Sequence, residues 1–273
     1  MPRRVLTAFI MMAVGFPALI YGGVFYFLLI ALVLAGGAWE FVRMYRAVQF
    51  EPHESVTVGG VLVIATARFF FAEYAVPVFV LLVLLAMAVH LVSFERGRDQ
   101  AALDFCVTVA GIAYIGWLGS YLIDLRVHFD HGGWWWMIVL PMVWACDTGA
   151  YSIGAAYGRH KLSVRLSPKK SWEGYVAGVF TSVIVGAFFS YAFSSLGPQP
   201  LGGLINPVQG AWMGLVIGAL APLGDLGESM FKRQSGLKDS SNLFPGHGGI
   251  LDRIDSWIWG AAIGYFMLQY FIL

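Results

Sequence analysis

Between Gly224 and Asp255 the chain reads GDLGESMFKRQSGLKDSSNLFPGHGGILDRID. Asp225, Glu228, Lys232, Arg233, Lys238, Asp239, His247, Asp252, Arg253 and Asp255 all fall within these 32 residues. Three glycines surround the histidine, in Gly246-His247-Gly248-Gly249. Carboxylates suit a divalent cation, basic side chains suit phosphate, and glycines let a backbone approach a ligand closely. Asp225 and Glu228 are three residues apart, as are Asp252 and Asp255, so each pair shares a face if the local structure is helical. Asp252 and Asp255 also stand at the start of an apolar run, where the positive end of a helix favours acids. That structural role leaves Asp225, Asp239 and His247 unexplained. Two or three converging carboxylates hold Mg2+ when phosphate oxygens and water complete its octahedron, and Lys232, Arg233, Lys238 and Arg253 can balance the remaining charge. The chemistry expected is metal-dependent and directed at a phosphorylated lipid.

Two further groups lie upstream. Asp147 sits inside an apolar segment, MVWACDTGAYSIGAAYG, where a carboxylate is costly and faces a cavity or a partner. It serves either a nucleotide or metal contact or a hydrogen bond between packed helices. The link Gly158–Gly174, GRHKLSVRLSPKKSWEG, carries five basic residues: Arg159, Lys161, Arg165, Lys169 and Lys170. Ser171 is placed to cap the helix that follows, with Glu173 in its first turn. Lysines at a helix start make an anion site, and the same pattern also arises from cytoplasmic positive charge beside anionic lipid. His128 and His131 flank Asp130 at a spacing a metal could use, but no third ligand is near in sequence and a solvated loop is the expectation.

Positioning these residues requires a membrane body. Hydrophobic residues make up 59% of the 273, aromatics 16% and charged residues only 12%, which excludes an ordinary soluble domain. Mean hydropathy is +0.72. Apolar runs long enough to cross a bilayer recur, and barrel-type alternation is missing, so an all-α polytopic fold follows. Nine spans are predicted, roughly 5–21, 23–42, 56–72, 75–94, 102–123, 134–157, 174–195, 208–227 and 254–272. The first is read as a retained span, because no small-x-small cleavage site follows its basic start. Fifteen of the 17 Lys and Arg residues then fall in links on one side, which puts the N-terminus in the cytoplasm and the C-terminus opposite. Only Arg68 and Arg126 fall elsewhere. Glu40, Glu73, Asp104 and Asp124 are placed near span ends, where solvation is cheap. Cys106 and Cys146 are read as small buried apolar residues. Residues 1–125 form N-terminal membrane helices of about five spans without a chemical motif, and 126–273 a catalytic region of about four spans with cytoplasmic loops.

The segment Ser229–Asp255 resembles the signature of the phosphatidate cytidylyltransferases. Ser229, Lys232, Arg233, Lys238, Asp239, Ser241, Phe244, Pro245, His247, Gly248, Gly249, Asp252, Arg253 and Asp255 all stand at the family's places. The resemblance extends upstream through Trp144, Asp147, Gly158-Arg159, the run Ser167–Gly174, and Gly224-Asp225-Leu226 with Glu228. It implies transfer of CMP from CTP to phosphatidic acid, giving CDP-diacylglycerol and pyrophosphate. It further implies Mg2+, a monovalent cation such as K+ beside it, a homodimer in the bacterial inner membrane, and no nucleic-acid partner. Metal ligation maps onto Asp225, Asp252 and Asp255. Catalytic contacts map onto Lys238, Asp239, His247 and Arg253. Substrate contacts map onto Asp147, Arg159, Ser167, Lys169, Lys170, Glu173, Glu228, Ser229, Lys232, Arg233, Gly248 and Gly249. Two other activities compete with this one. A CTP-dependent lipid kinase would transfer the γ-phosphoryl group instead. An ion-coupled transporter would use membrane acids for its path, but the acids cluster with basic residues and no inverted repeat is visible.

Overall fold

The computed structural model describes residues 13–196, 204–241, 243 and 248–273. Residues 13–21 form helix α1. There follow α2 (Gly23–Arg46), α3 (Glu54–Phe70), α4 (Ala75–Glu95) and α5 (Ala101–Gly111). A π-helical stretch, Ile112–Leu118, connects α5 to α6 (Tyr121–Val127). After α7 (Gly132–Tyr157), strands β1 (Lys161–Ser163) and β2 (Ser167–Ser171) pair as a short antiparallel hairpin. Helices α8 (Trp172–Leu196), α9 (Pro207–Leu220), α10 (Pro222–Gln234) and α11 (Leu251–Met267) complete the chain, with a final π turn at Leu268–Ile272.

Among the described residues five helical stretches are long and apolar enough to cross a membrane: Gly23–Arg46, Ala72–Glu95, Ala101–Val127, Trp172–Ser195 and Pro207–Gln234. The protein is therefore a helical, multi-pass membrane protein. Helices α3, α7 and α11 lie in three other predicted spans, α1 lies in the described part of the first, and the expected all-helical body gains one small hairpin.

The chain folds as two compact units. One comprises the described residues up to Val127 together with Phe231–Ile254; the other comprises His128–Met230 and Asp255–Leu273. The backbone passes from unit to unit after Val127, inside α10 and inside α11.

In the first unit, Val56, Ile64, Leu82, Ala86 and Ile112 form an apolar core contributed by α3, α4 and the π stretch. Three of the acids expected near solvated span ends are buried in the same unit. Glu40 and Asp104 are fully inaccessible and Asp124 is 5% exposed, whereas Glu73 does lie at the surface. Each buried acid has donors. Asp104 accepts from Arg98 Nε at 2.7 Å and from the Glu51 backbone N–H at 2.7 Å. Asp124 is ion-paired with Arg68, whose guanidinium also stacks 4.1 Å from the Trp117 ring centroid and 4.6 Å from that of Tyr121.

In the second unit, α7, α8 and α9 approach at backbone distance. A Cβ on Gly186 would meet the Gly210 carbonyl, and one on Gly214 would meet the Ser182 carbonyl, so larger residues would separate α8 from α9. Pro222 ends α9 because it has no N–H to offer the Gly218 carbonyl one turn earlier. That freed carbonyl accepts from Cys146 Sγ at 3.4 Å, and Ala219 O accepts from the Tyr175 hydroxyl at 2.8 Å. Cys146 is thus a buried donor as well as a small apolar residue, whereas Cys106, also expected to be buried, is exposed. At its other end α9 is closed by a reciprocal cap between Asn206 and Gln209, with Pro207 in the first turn.

Replacing Arg68 with Met strips a buried carboxylate of its cation and destabilises the fold by roughly 3–5 kcal/mol. The double variant Arg68→Met/Asp124→Leu removes both charges and recovers most of that loss. Thermal unfolding in detergent compares the two; equal destabilisation would show that the pair is not what holds α3 to α6.

Candidate functional site

The basic link folds as the β1–β2 hairpin, with Lys161 opposite Ser171 and Ser163 opposite Ser167. Glu173, in the first turn of α8, closes its base. One carboxylate accepts the backbone N–H of Arg159 at 3.1 Å and that of His160 at 3.2 Å, and pairs with His160 Nδ1 at 2.6 Å. The Trp172 N–H donates to His160 O at 2.9 Å, and Ser171 Oγ accepts from the Gly174 N–H at 3.2 Å, the N-cap expected of it. Glu173, expected at the substrate, is engaged with the hairpin itself.

The hairpin walls a cavity of about 610 Å³ in the second unit. Asp147 and Tyr151 enter it from α7, Lys161, Ser167, Lys169 and Lys170 from the hairpin, and Asp225 from α10. Asp147 is exposed on this face, so its place inside an apolar helix is relieved by the cavity. Lys170 is ion-paired with Asp225 at the cavity wall. Arg159 is exposed at the foot of the hairpin.

Asp225 occupies the first turn of α10, Glu228 the next turn, and Asp255 the start of α11. One oxygen from each lies within 4.8 Å of the others, and among the described residues this is the acidic group so arranged. Gly224 permits it, since a Cβ there would meet the Asp255 carbonyl and the Trp259 ring. Three carboxylates and no nitrogen or sulfur form a donor set suited to a hard divalent cation. Glu228, expected at the substrate, is fully buried inside this cluster. Ser229 Oγ stands 3.5 Å from Asp225 Oδ1.

Asp252 is bonded differently, within the first unit. Lys232 Nζ donates to its Oδ1 at 2.5 Å. Its Oδ2 accepts from Ser240 N and Gly249 N, each at 2.8 Å, and from Ser240 Oγ at 2.7 Å. Burial opposes its ionisation, but Lys232 and the Gly249 N–H outweigh burial and hold the carboxyl at about 2. Gly248 has φ +77° and a Cβ there would strike the Asp252 carboxylate, so the Gly248-Gly249 pair is required by this turn. Of the group expected to ligate metal together, Asp225 and Asp255 meet with Glu228, while Asp252 is matched to Lys232 and the loop ahead of α11. Arg233, Lys238, Asp239 and Arg253 are exposed, and His247 lies outside the described residues. One residue absent from the expected set bonds directly to this loop: Glu40, from α2. His128 makes ring contacts with Phe129 and Tyr265, in keeping with a loop role.

The sequence model of the cytidylyltransferase family matches residues 2–271. The phosphatidate cytidylyltransferase of Synechocystis sp. is 34% identical over an alignment of 301 positions, gaps included, covering 97% of this chain and 96% of the relative. That of Pseudomonas aeruginosa is 33% identical over 264 residues, covering 93% and 92%. The Staphylococcus aureus enzyme of the same name is 31% identical over 268 residues, covering 94% and 95%. With a match along nearly its whole length, and with clustered acids beside a lysine-lined cavity in an apolar helical body, the chain belongs to the cytidylyltransferase family of nucleotide-transferring enzymes.

Proposed function

We propose that this enzyme transfers CMP from CTP to phosphatidate, giving CDP-diacylglycerol and pyrophosphate. The observation that carries the reading is the Lys170–Asp225 contact, which joins a lysine-bearing hairpin to an acidic cluster at one cavity. The names of the relatives supply the substrates.

An ionised phosphatidate oxygen is the nucleophile. It forms a bond to the α-phosphorus of CTP while the bond from that phosphorus to the bridging oxygen breaks, and pyrophosphate departs with the electron pair. The phosphomonoester is already ionised near neutral pH, so the chain need not supply a strong base. Its task is positioning and charge compensation. Lys161, Lys169 and Lys170 hold the triphosphate along the hairpin, and Asp147 and Tyr151 face the nucleotide from α7. A divalent cation, Mg2+ by the oxygen-only donor set, would neutralise charge at the reacting phosphates when held by Asp225, Glu228 and Asp255. Asp252 fixes Lys232 in its turn, with Lys238, Asp239, His247 and Arg253 serving the lipid phosphate or the developing charge. The concentration of basic residues in one set of links supports a site on the cytoplasmic face of a bacterial inner membrane. The family resemblance supports a homodimer and a monovalent cation such as K+ beside the divalent one.

With CTP labelled at the α-phosphate, phosphatidate and Mg2+, label is expected in a lipid product; γ-label entering lipid instead would identify a lipid kinase. Asp225→Asn and Asp255→Asn each lower kcat by roughly 10²–10³-fold, the scale of losing one electrostatic contact to a transition state. Lys170→Met raises the KM for CTP about tenfold, as loss of a charge-assisted hydrogen bond would. An unchanged KM would remove the hairpin from nucleotide binding.

A further inference from the structure

Glu40 is fully buried in α2, in the half of the chain that carries no signature residue. Its carboxylate is surrounded by donors. Oε1 accepts from Ser241 Oγ at 2.6 Å and from the Ile250 N–H at 2.9 Å. Oε2 accepts from Ser240 Oγ at 2.9 Å and from the Leu251 N–H at 2.8 Å. All four donors belong to the segment between α10 and the first residue of α11, some 200 residues along the chain. Three of these donors are unshared and the fourth, the Ser240 hydroxyl, is shared with Asp252; together they allow the charge to remain so far from water.

Two consequences reach the site. The N–H groups of Ile250 and Leu251 open α11 and have no partner earlier in a helix, so Glu40 caps α11 from a different helix and sets a negative charge at its positive end. Helix α11 carries Asp252 and, one turn on, Asp255. Ser240 lies between two carboxylates: its hydroxyl reaches Glu40 Oε2 and Asp252 Oδ2, while its own N–H donates to Asp252. One hydroxyl proton serves only one acceptor at a time, so a shift at Glu40 is felt at Asp252 and hence at Lys232. The fit is close. A Cβ on Gly249 would meet both Glu40 oxygens and Ser240 Oγ.

We propose that Glu40 is a positioning residue for the transfer reaction, holding the signature loop and the start of α11 so that Asp252 and Lys232 keep their geometry. The proposal rests on the function proposed above and adds a residue that touches neither substrate nor cation. Glu40→Gln keeps the shape but puts an NH2 where one oxygen stood, which opposes a backbone N–H donor at the start of α11 and forces the facing serine hydroxyl to turn and accept. Its expected effect is a fall in kcat of about 100-fold, the scale of a small misplacement near reacting groups. The KM for CTP stays unmoved, because the hairpin cavity is built from other residues.

Wild-type enzyme run alongside separates the two ideas: without CDP-lipid from wild type the functional reading fails, whereas wild-type kcat in Glu40→Gln overturns the role of Glu40 alone. The double variant Glu40→Gln/Ser240→Ala is expected to be no worse than the poorer single variant, since both break one chain of contacts. Additive losses, or a rise in KM matching the fall in kcat, would mark Glu40 as general scaffold and overturn the proposal. If Glu40→Gln does not fold, Ser241→Ala removes one donor and leaves three. A kcat loss at unchanged KM with faster amide exchange at Ile250 and Leu251 then supports the proposal, and wild-type kcat in a loosened loop overturns it.

Discussion

A carboxylate withdrawn from water must be met by donors or by a cation, and in a chain with 12% charged residues that requirement decides where structure is spent. Asp104 is met by Arg98, Asp124 by Arg68, Asp252 by Lys232 and two backbone N–H groups, and Glu40 by two hydroxyls and two N–H groups. Asp225, Glu228 and Asp255 are of another kind, because they converge on one another. Like charges brought within 4.8 Å repel, and Lys170 is paired with the group through Asp225. Acids matched singly and acids gathered together are thus two distinct uses of carboxylate charge in one chain.

The scaffold serves this arrangement by interrupting helices where the site begins. Pro222 separates α9 from α10, and the carbonyls it disturbs are taken by Cys146 and Tyr175 from neighbouring helices. Polar backbone near an apolar interior is acceptable only when answered in this way. The new helix starts with Asp225 in its first turn, where the dipole favours an acid. Glycines at the α8–α9 contact let backbones touch, which leaves no play between those helices.

Much of this was legible from residues alone. Apolar run length located the helices, and the spacing of Asp225 with Glu228 placed both on one face. Ser171 announced the start of α8. The hairpin was not visible, because Lys161–Ser163 and Ser167–Ser171 are too short and too polar for an alternating pattern; its order comes from Glu173 and from the backbone pairing it closes. Glu40 was misplaced because distance from a span end measures depth in a membrane and not enclosure by protein. Its donors come from a segment 200 residues away, and no local pattern announces so remote a partner. The meeting of Glu228 with Asp225 and Asp255 is likewise a matter of tertiary packing. Spacing on each helix is local, but which carboxylates meet depends on how α10 and α11 lie together at Gly224.

The closure of the β1–β2 hairpin by Glu173 carries one more consequence. A mobile lysine-rich loop would surrender its freedom each time it wrapped a polyanion, and affinity would be reduced by that ordering. Here the strand pairing and the Glu173 clamp impose the order during folding, before any ligand arrives. Under the proposed function these cations would meet the triphosphate already ordered, with selectivity set by shape and spacing more than by adaptation.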